Sequence, residues 1–302
     1  MPRMSVIACA LLGACIGAIG QQPGAPDQSG TIRVNINLIV LHVAVLDHSG
    51  HFVSGLEKQD FAVSVDGQPR PITVFQKDDA PVTAGILVDN SASMIPKGPE
   101  VLAAALAFAR ASNPQDEMFV VHFSDQIRLG LPADKPFTGS ISELETALSQ
   151  FKPAGATALY DAIALALSHL RKSPLERKVL LIISDGGDNS SKISFSEVLD
   201  LLQRSGAVVY AIGLYDDSNR DRNPRVLSEL AELTGGRAYF PSELKDVSKV
   251  CVEIARDIRL QYTLGVEGPE DGQYHRLKVT ARDPRGGELE VRTRTGFFAP
   301  KR

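Results

Sequence analysis

Cysteine is scarce in this chain, and the scarcity excludes a disulfide-stapled scaffold. Of three cysteines in 302 residues, Cys9 and Cys15 fall in the apolar opening stretch. Only Cys251 remains beyond it, so no intramolecular disulfide is expected. Cys251 keeps step with Leu244, Val247, Ile254 and Ile258 on one helical face, which reads as core rather than as a reactive thiol. An excess of positive charge is lacking too. The formal net charge is −4, so nothing points to a nucleic-acid partner. There is no Gly-rich phosphate loop and no Gly-x-Ser-x-Gly nucleophile elbow. Histidines are few. His122 lies inside an apolar run and His169 on a helical pattern, while His48 and His51 share a turn with Asp47 and Gly50 and read as solvated loop residues.

What is present is ordinary globular composition. At 43% hydrophobic and 23% charged, the chain can bury one large domain and a smaller one. Residues 1–20 read as an export signal: Arg3 gives a positive start, Ser5 to Ile19 is apolar and small, and Ala18-x-Gly20 suits cleavage. The run is short for a membrane span. An uncleaved tail is one alternative. Another is lipidation, because Leu12-Gly-Ala-Cys15 has the form of a lipobox. Residues 21–30 are rich in Gly, Pro, Gln and Ser and read as a flexible linker.

The most informative stretch is Gly85-Ile-Leu-Val-Asp-Asn-Ser-Ala-Ser-Met94. Its apolar run predicts a strand buried on both faces. The run stops at Asp89, and hydroxyls follow at Ser91 and Ser93. A carboxylate and two hydroxyls at alternate positions suit a small hard cation. Magnesium takes oxygen ligands in an octahedron at about 2.0–2.1 Å. Leu180 to Asp188 repeats the design and ends its strand in Asp185. Between them, Gly155-Ala-Thr157 offers a hydroxyl on a loop before a helix. In a parallel sheet the strand ends gather at one edge, where ligands bind in open α/β folds.

Asp89-x-Ser91-x-Ser93 with Thr157 and Asp185 resembles the metal-ion-dependent adhesion site of von Willebrand factor type A domains. The flanking patterns, Gly55-Leu-x-x-x-Asp-Phe61 and Arg294-x-Gly-Phe-Phe298, resemble those of secreted bacterial proteins of the VWFA-related, acidobacterial type. The resemblance implies that these five residues hold Mg²⁺, with Ca²⁺ or Mn²⁺ as substitutes. It also implies that an Asp or Glu carboxylate of a protein partner completes the coordination, with Thr157 and Asp185 exchanging direct and water-mediated contact. Asn90, Asp161 and Asp188 are candidates for supporting or rim positions. Asp161 reads equally as a first-turn helix acid.

Alternation of strands and helices from Val82 predicts a doubly wound, mostly parallel α/β sheet over 82–258. Its helices are expected near 98–112, 142–151, 159–170, 194–202, 226–234 and 242–259, and the polar run Asp216 to Asn223 reads as a rim loop. Segments 31–80 and 260–300 alternate as half-buried strands, the first through Ile32, Val34, Ile36, Leu38 and Val40 and the last through Leu289, Val291, Thr293 and Thr295. They are expected to join as one β-sandwich-like domain with the α/β domain inserted. Two separate β units are the alternative. Three functions remain open on these residues: an exported, metal-dependent protein-binding module; a metal-dependent hydrolase or phosphatase; and a structural module whose ion only stabilises loops. The hydrolase would need a general base, and no histidine stands near the three stretches.

Overall fold

A computed structural model describes residues 37–77, 79–150, 152–215 and 222–301. The signal and linker expectations, with Ile32, Val34 and Ile36, lie outside the described residues, as does most of the Asp216 to Asn223 run. The described residues form one compact unit.

The unit opens with four strands: β1 (Leu38–Leu46), β2 (Phe61–Val65), β3 (Gln68–Arg70) and β4 (Ile72–Gln76). The β2–β3 turn places Asp66 at φ 50° and Gly67 at φ 79°. Two left-handed residues in a two-residue turn match the right-handed twist of the strands they join.

From Val82 the pattern changes. Strands β5 (Val82–Asp89), β6 (Glu117–Phe123), β7 (Ile127–Leu129), β8 (Arg177–Ser184), β9 (Val208–Gly213) and β10 (Ala238–Tyr239) form a six-stranded sheet in the order β10-β9-β8-β5-β6-β7. All but β7 run parallel. All eight residues of β5 are buried, which explains why its sequence does not alternate. Helices α1 (Gly98–Ala111), α2 (Ile141–Leu148), α3 (Leu159–Leu170), α4 (Phe195–Ser205), α5 (Pro224–Thr234) and α6 (Val247–Arg259) cover both faces. Ala84, Ile86 and Val88 of β5 pack with Val101 and Phe108 of α1 and with Val247 and Ile254 of α6. Leu87 packs on the other side with Ile163, Leu167 and Leu230. Ser194 and Glu197 form a reciprocal cap that starts α4 where the sequence places it. Near 242 the expected helix starts later. A single 3-10 turn, Leu244–Asp246, precedes α6.

The chain then returns to strands β11 (Tyr262–Glu267), β12 (Tyr274–Arg282), β13 (Glu288–Arg292) and β14 (Gly296–Phe298). These pair with the opening strands in the path β3-β2-β12-β13-β1-β11-β4, and β14 adds to β12. The two ends of the path meet. The Phe61 ring of β2 lies 5.8 Å from Phe75 of β4 and 5.0 Å from Tyr262 of β11. The sheet therefore folds over its own core of Leu41, Val43, Val63 and Leu264. One expectation needs correction. Residues 289–295 are not a single strand, because β13 stops at Arg292 and Gly296 starts a new one. At Gly296 a Cβ would meet the His275 carbonyl oxygen at 2.6 Å, so only glycine lets the chain fold back this closely.

Arginines tie the two sheets together. Arg259, at the end of α6, pairs with the buried Asp116 and with Asp79. Asp116 also accepts the Val82 N–H at 2.9 Å, fixing the start of β5. Arg292 of β13 pairs with the buried Asp257 of α6. Arg177 donates to the Ala80 and Ile258 carbonyls at 3.2 and 2.5 Å.

Candidate metal centre

β5 and β8 are neighbours in parallel register, with Val88 opposite Ile183. Their carboxyl ends therefore deliver Asp89 and Asp185 to one edge. Both are buried, at 0% and 2% exposure. The turn after Asp89 is built by the carboxylate itself, since Oδ1 accepts the Ser91 N–H at 2.8 Å. That turn brings Ser91 Oγ within 3.0 Å of Ser93 Oγ. Ser93 Oγ donates in turn to Asp185 Oδ2 at 2.6 Å. After Asp185 the chain bends through Gly186 at φ 77°, where a Cβ would meet the Asn223 carbonyl oxygen at 2.4 Å. Left-handed backbone and this close approach both require glycine there.

The Thr157 loop is docked from both sides by backbone hydrogen bonds. The Asn90 carbonyl accepts the Ala154 N–H at 2.7 Å, and the Gly155 carbonyl accepts the Ala92 N–H at 3.2 Å. On the other side, the Thr157 N–H donates to Asn189 Oδ1 at 2.8 Å, and its carbonyl accepts the N–H groups of Asn189 and Ser190, both at 3.0 Å. Thr157 is itself buried. Three loops distant in sequence thus meet. Ser91, Ser93 and Asp185 are linked through their side chains, Asp89 joins them through the Ser91 N–H, and Thr157 is positioned through its backbone.

The three supporting candidates take different places. Asn90 is buried, and its amide faces inward. In the orientation that satisfies both ends, its nitrogen donates to the Val88 carbonyl at 3.2 Å and to His122 Nδ1 at 3.3 Å, and its oxygen accepts the Lys152 N–H at 3.2 Å. His122 donates from Nε2 to the Ala147 carbonyl at 2.9 Å, and burial holds its pKa below the usual value. This imidazole is neutral and turned away from the carboxylates. Asp161 accepts the Lys192 and Ile193 N–H groups at 3.0 and 3.1 Å, so it clamps the loop that carries Asn189. Asp188 Oδ2 accepts the Tyr160 N–H at 2.9 Å and the Ser191 hydroxyl at 2.5 Å. It serves the first turn of α3.

Sequence reasoning missed Ser184. Its hydroxyl donates to Asp89 Oδ2 at 2.5 Å and accepts the Gly186 N–H at 3.0 Å. A hydroxyl at the end of an apolar strand gives no signal that it faces a carboxylate on the neighbouring strand. Asn189 carries a weak signal, as an amide on the loop after a strand-end acid.

The electrostatics favour a cation. Burial, and then the negative charge of Asp185, push the Asp89 carboxyl up to about 6, against hydrogen bonds from Ser184 and Ser91 that pull it down. Among the described residues no cluster of three His, Cys, Asp or Glu groups could hold a metal. The donor set is two carboxylates and neutral hydroxyls, all hard oxygen. Adjacent ligands of an octahedron at magnesium's bond length stand about 2.9 Å apart. The oxygen separations of 3.0 Å between Ser91 and Ser93 and 2.6 Å between Ser93 and Asp185 are close to that edge. The residues present therefore fit a divalent ion.

The family model of the von Willebrand factor type A domain matches residues 85–251, more than half of the chain. The chain belongs to the von Willebrand factor type A family. Solved structures agree on the fold. A von Willebrand factor type A protein from Catenulispora acidiphila is 13% identical, covers 88% of this chain and 74% of its own, and superposes with a TM-score of 0.53. Proximal thread matrix protein 1 from the mussel byssus, described with a zinc-occupied MIDAS motif, is 19% identical over 64% of this chain and 49% of its own, with a TM-score of 0.50. A curated relative, an uncharacterized protein of Borreliella burgdorferi, is 28% identical over 118 residues. That match spans 35% of the relative's length and 31% of this chain. The von Willebrand factor type A domain here is the six-stranded sheet with its helices, and no helix among the described residues is long and apolar enough to cross a membrane.

Proposed function

We propose that this protein is an exported, metal-ion-dependent protein-binding module. Asp89, Ser91, Ser93, Thr157 and Asp185 would hold Mg²⁺, with Ca²⁺ or Mn²⁺ as substitutes. The observation that carries the reading is the oxygen cluster itself, with Ser93 bridging Ser91 and Asp185 at 3.0 and 2.6 Å. The zinc described in the mussel relative's corresponding motif supports a divalent ion at such a site. When bound, the ion supplies positive charge that attracts an external oxygen anion, an Asp or Glu side chain of a partner protein. The chain's own groups do the rest. Two buried carboxylates provide the negative charge that retains a cation, and the hydroxyls add none, so the charge is not over-neutralised. Ile95, 59% exposed just past Ser93, offers apolar contact beside the carboxylate's landing place. An adhesive role at the cell envelope is consistent with the export signal read in residues 1–20.

The non-enzymatic reading is favoured by what surrounds the cluster. His122 is neutral and committed to the Ala147 carbonyl, and no other histidine among the described residues bonds to the site. A hydrolase would need a base placed to activate water.

The test is binding of the full chain to an immobilised Glu-containing peptide, in Mg²⁺ and in EDTA. Binding in Mg²⁺ should be lost in EDTA and lost with Asp89→Ala, and soluble acetate should compete. Binding that survives both the chelator and the substitution contradicts the proposal.

A further inference from the structure

Among the arginines at the junction of the two sheets, Arg294 stands apart. Arg259 and Arg292 each have an aspartate. Arg177 has two carbonyls and Gln261. Arg294 has no aspartate among the described residues: it donates from one Nη to the Val40 carbonyl at 2.8 Å, and its Nε, like those of Arg259 and Arg292, is buried without a hydrogen-bond partner. Burial alone moves its pKa, down to about 10, with no carboxylate acting in the other direction. It lines a cleft of about 280 Å³ between β1 and β14 on one side and the end of α4 and start of β8 on the other. Lys178 and Arg204 line the same cleft, and among the described residues Glu176 is the one acid in its lining. Glu176 forms no ion pair with the three cations among the described residues. His42, also in the lining, has its pKa pushed down to about 3 by burial and then by Arg177 and Arg294, so it is neutral. The described lining residues therefore carry a net positive charge.

We propose that this cleft is a second ligand site, for a small molecule or side chain presenting a phosphate or carboxylate group to Arg294. A guanidinium fork matches both groups with paired hydrogen bonds. Placing a cation away from water without a counter-ion is unfavourable, and an anionic ligand removes that penalty. The Arg204 guanidinium lies 3.8 Å over the Phe298 ring, which fixes it beside the opening. The volume limits the ligand to a small one, since it falls just under the usual range of about 300–1,000 Å³ for such sites. The site is independent of the metal centre. Lys178 stands at the opposite end of β8 from Asp185, roughly 23 Å away along the strand.

Titration calorimetry on the full chain, in a zwitterionic buffer, tests this with inorganic phosphate, glycerol phosphate and acetate as separate ligands and chloride as the control. At least one oxyanion should bind at a single saturable site, and the arm that binds best identifies the group and whether an organic body contributes. Lys178→Gln and Arg204→Gln should each weaken binding about ten-fold or more, and Arg294→Gln should weaken it further. Asp89→Ala should leave it unchanged. Absence of binding by all three oxyanions, or equal affinity in Lys178→Gln, Arg204→Gln and the parent chain, overturns the proposal. If Arg294→Gln does not fold, the decision rests on the other two variants, whose side chains reach the surface.

Discussion

Asp89→Asn is expected to abolish divalent-ion binding and, at the same time, to stabilise the metal-free protein at neutral pH. The substitution keeps the shape and removes the charge. In the folded chain the Asp89 carboxyl sits at about 6 rather than its ordinary 3.8, through burial first and Asp185 second. The sign follows from linkage. Below the ordinary value Asp89 is protonated in both states and there is no penalty. As pH rises through about 6 the folded state loses stability relative to the unfolded chain. The gap corresponds to at most roughly 3 kcal/mol. The asparagine gains less than that, because its amide can accept from only one of the two donors, the Ser184 hydroxyl and the Ser91 N–H, that Asp89 now satisfies. Thermal unfolding at pH 5 and pH 7.5, with and without Mg²⁺, measures all of this. The variant should melt higher than the metal-free parent at pH 7.5, higher by only about half that margin at pH 5, and show no shift with Mg²⁺. A variant that melts lower at pH 7.5 and is still raised by Mg²⁺ would contradict both halves.

Removing Arg292 is the other change expected to have a large effect. Asp257 is fully buried, and Arg292 is its charged partner across the junction of α6 and β13. Its Oδ1 already lacks a partner, and burial already raises its pKa. Arg292→Met leaves this carboxylate without its cation, a class of change that costs about 3–5 kcal/mol. Asp257 should then take up a proton. A raised carboxyl pKa means stability that is present at low pH and lost as pH rises, so the variant should recover part of the loss on acidification from pH 8 to pH 5. Urea midpoints at the two pH values read this directly. Adding Asp257→Leu should restore most of the loss, because replacing both ions by apolar groups is often neutral. A double variant as unstable as Arg292→Met alone would place the cost in packing instead.

How much of this could be read beforehand depends on whether the signal is local. β5 and β8 are legible because a strand buried on both faces is a continuous apolar run, and each run ends in an acid. The Ser194–Glu197 cap is legible because its partners lie three residues apart. The clustering of Ser91, Ser93 and Asp185 could be anticipated only because parallel strands share an edge. What was hidden depends on pairs distant in sequence. Ser184 faces Asp89 across 95 positions, and Arg259 reaches Asp116 across 143. Neither residue type announces its partner. The break between β13 and β14 was hidden for another reason. Val291, Thr293 and Thr295 alternate as a strand should, but the fold-back at Gly296 is set by tertiary contact with β12. Asn90, Asp161 and Asp188 were visible as polar residues near the strand ends, but their direction was not. Each turns out to support a loop or a helix start.

The most direct measurement is a titration of Mn²⁺ into the full chain, followed by electron paramagnetic resonance of the free ion. The account predicts a single saturable site, emptied by competing Mg²⁺, weakened in Ser93→Ala and absent in Asp89→Ala. Free Mn²⁺ rising linearly from the first addition, or identical curves for the parent chain and Asp89→Ala, would contradict it.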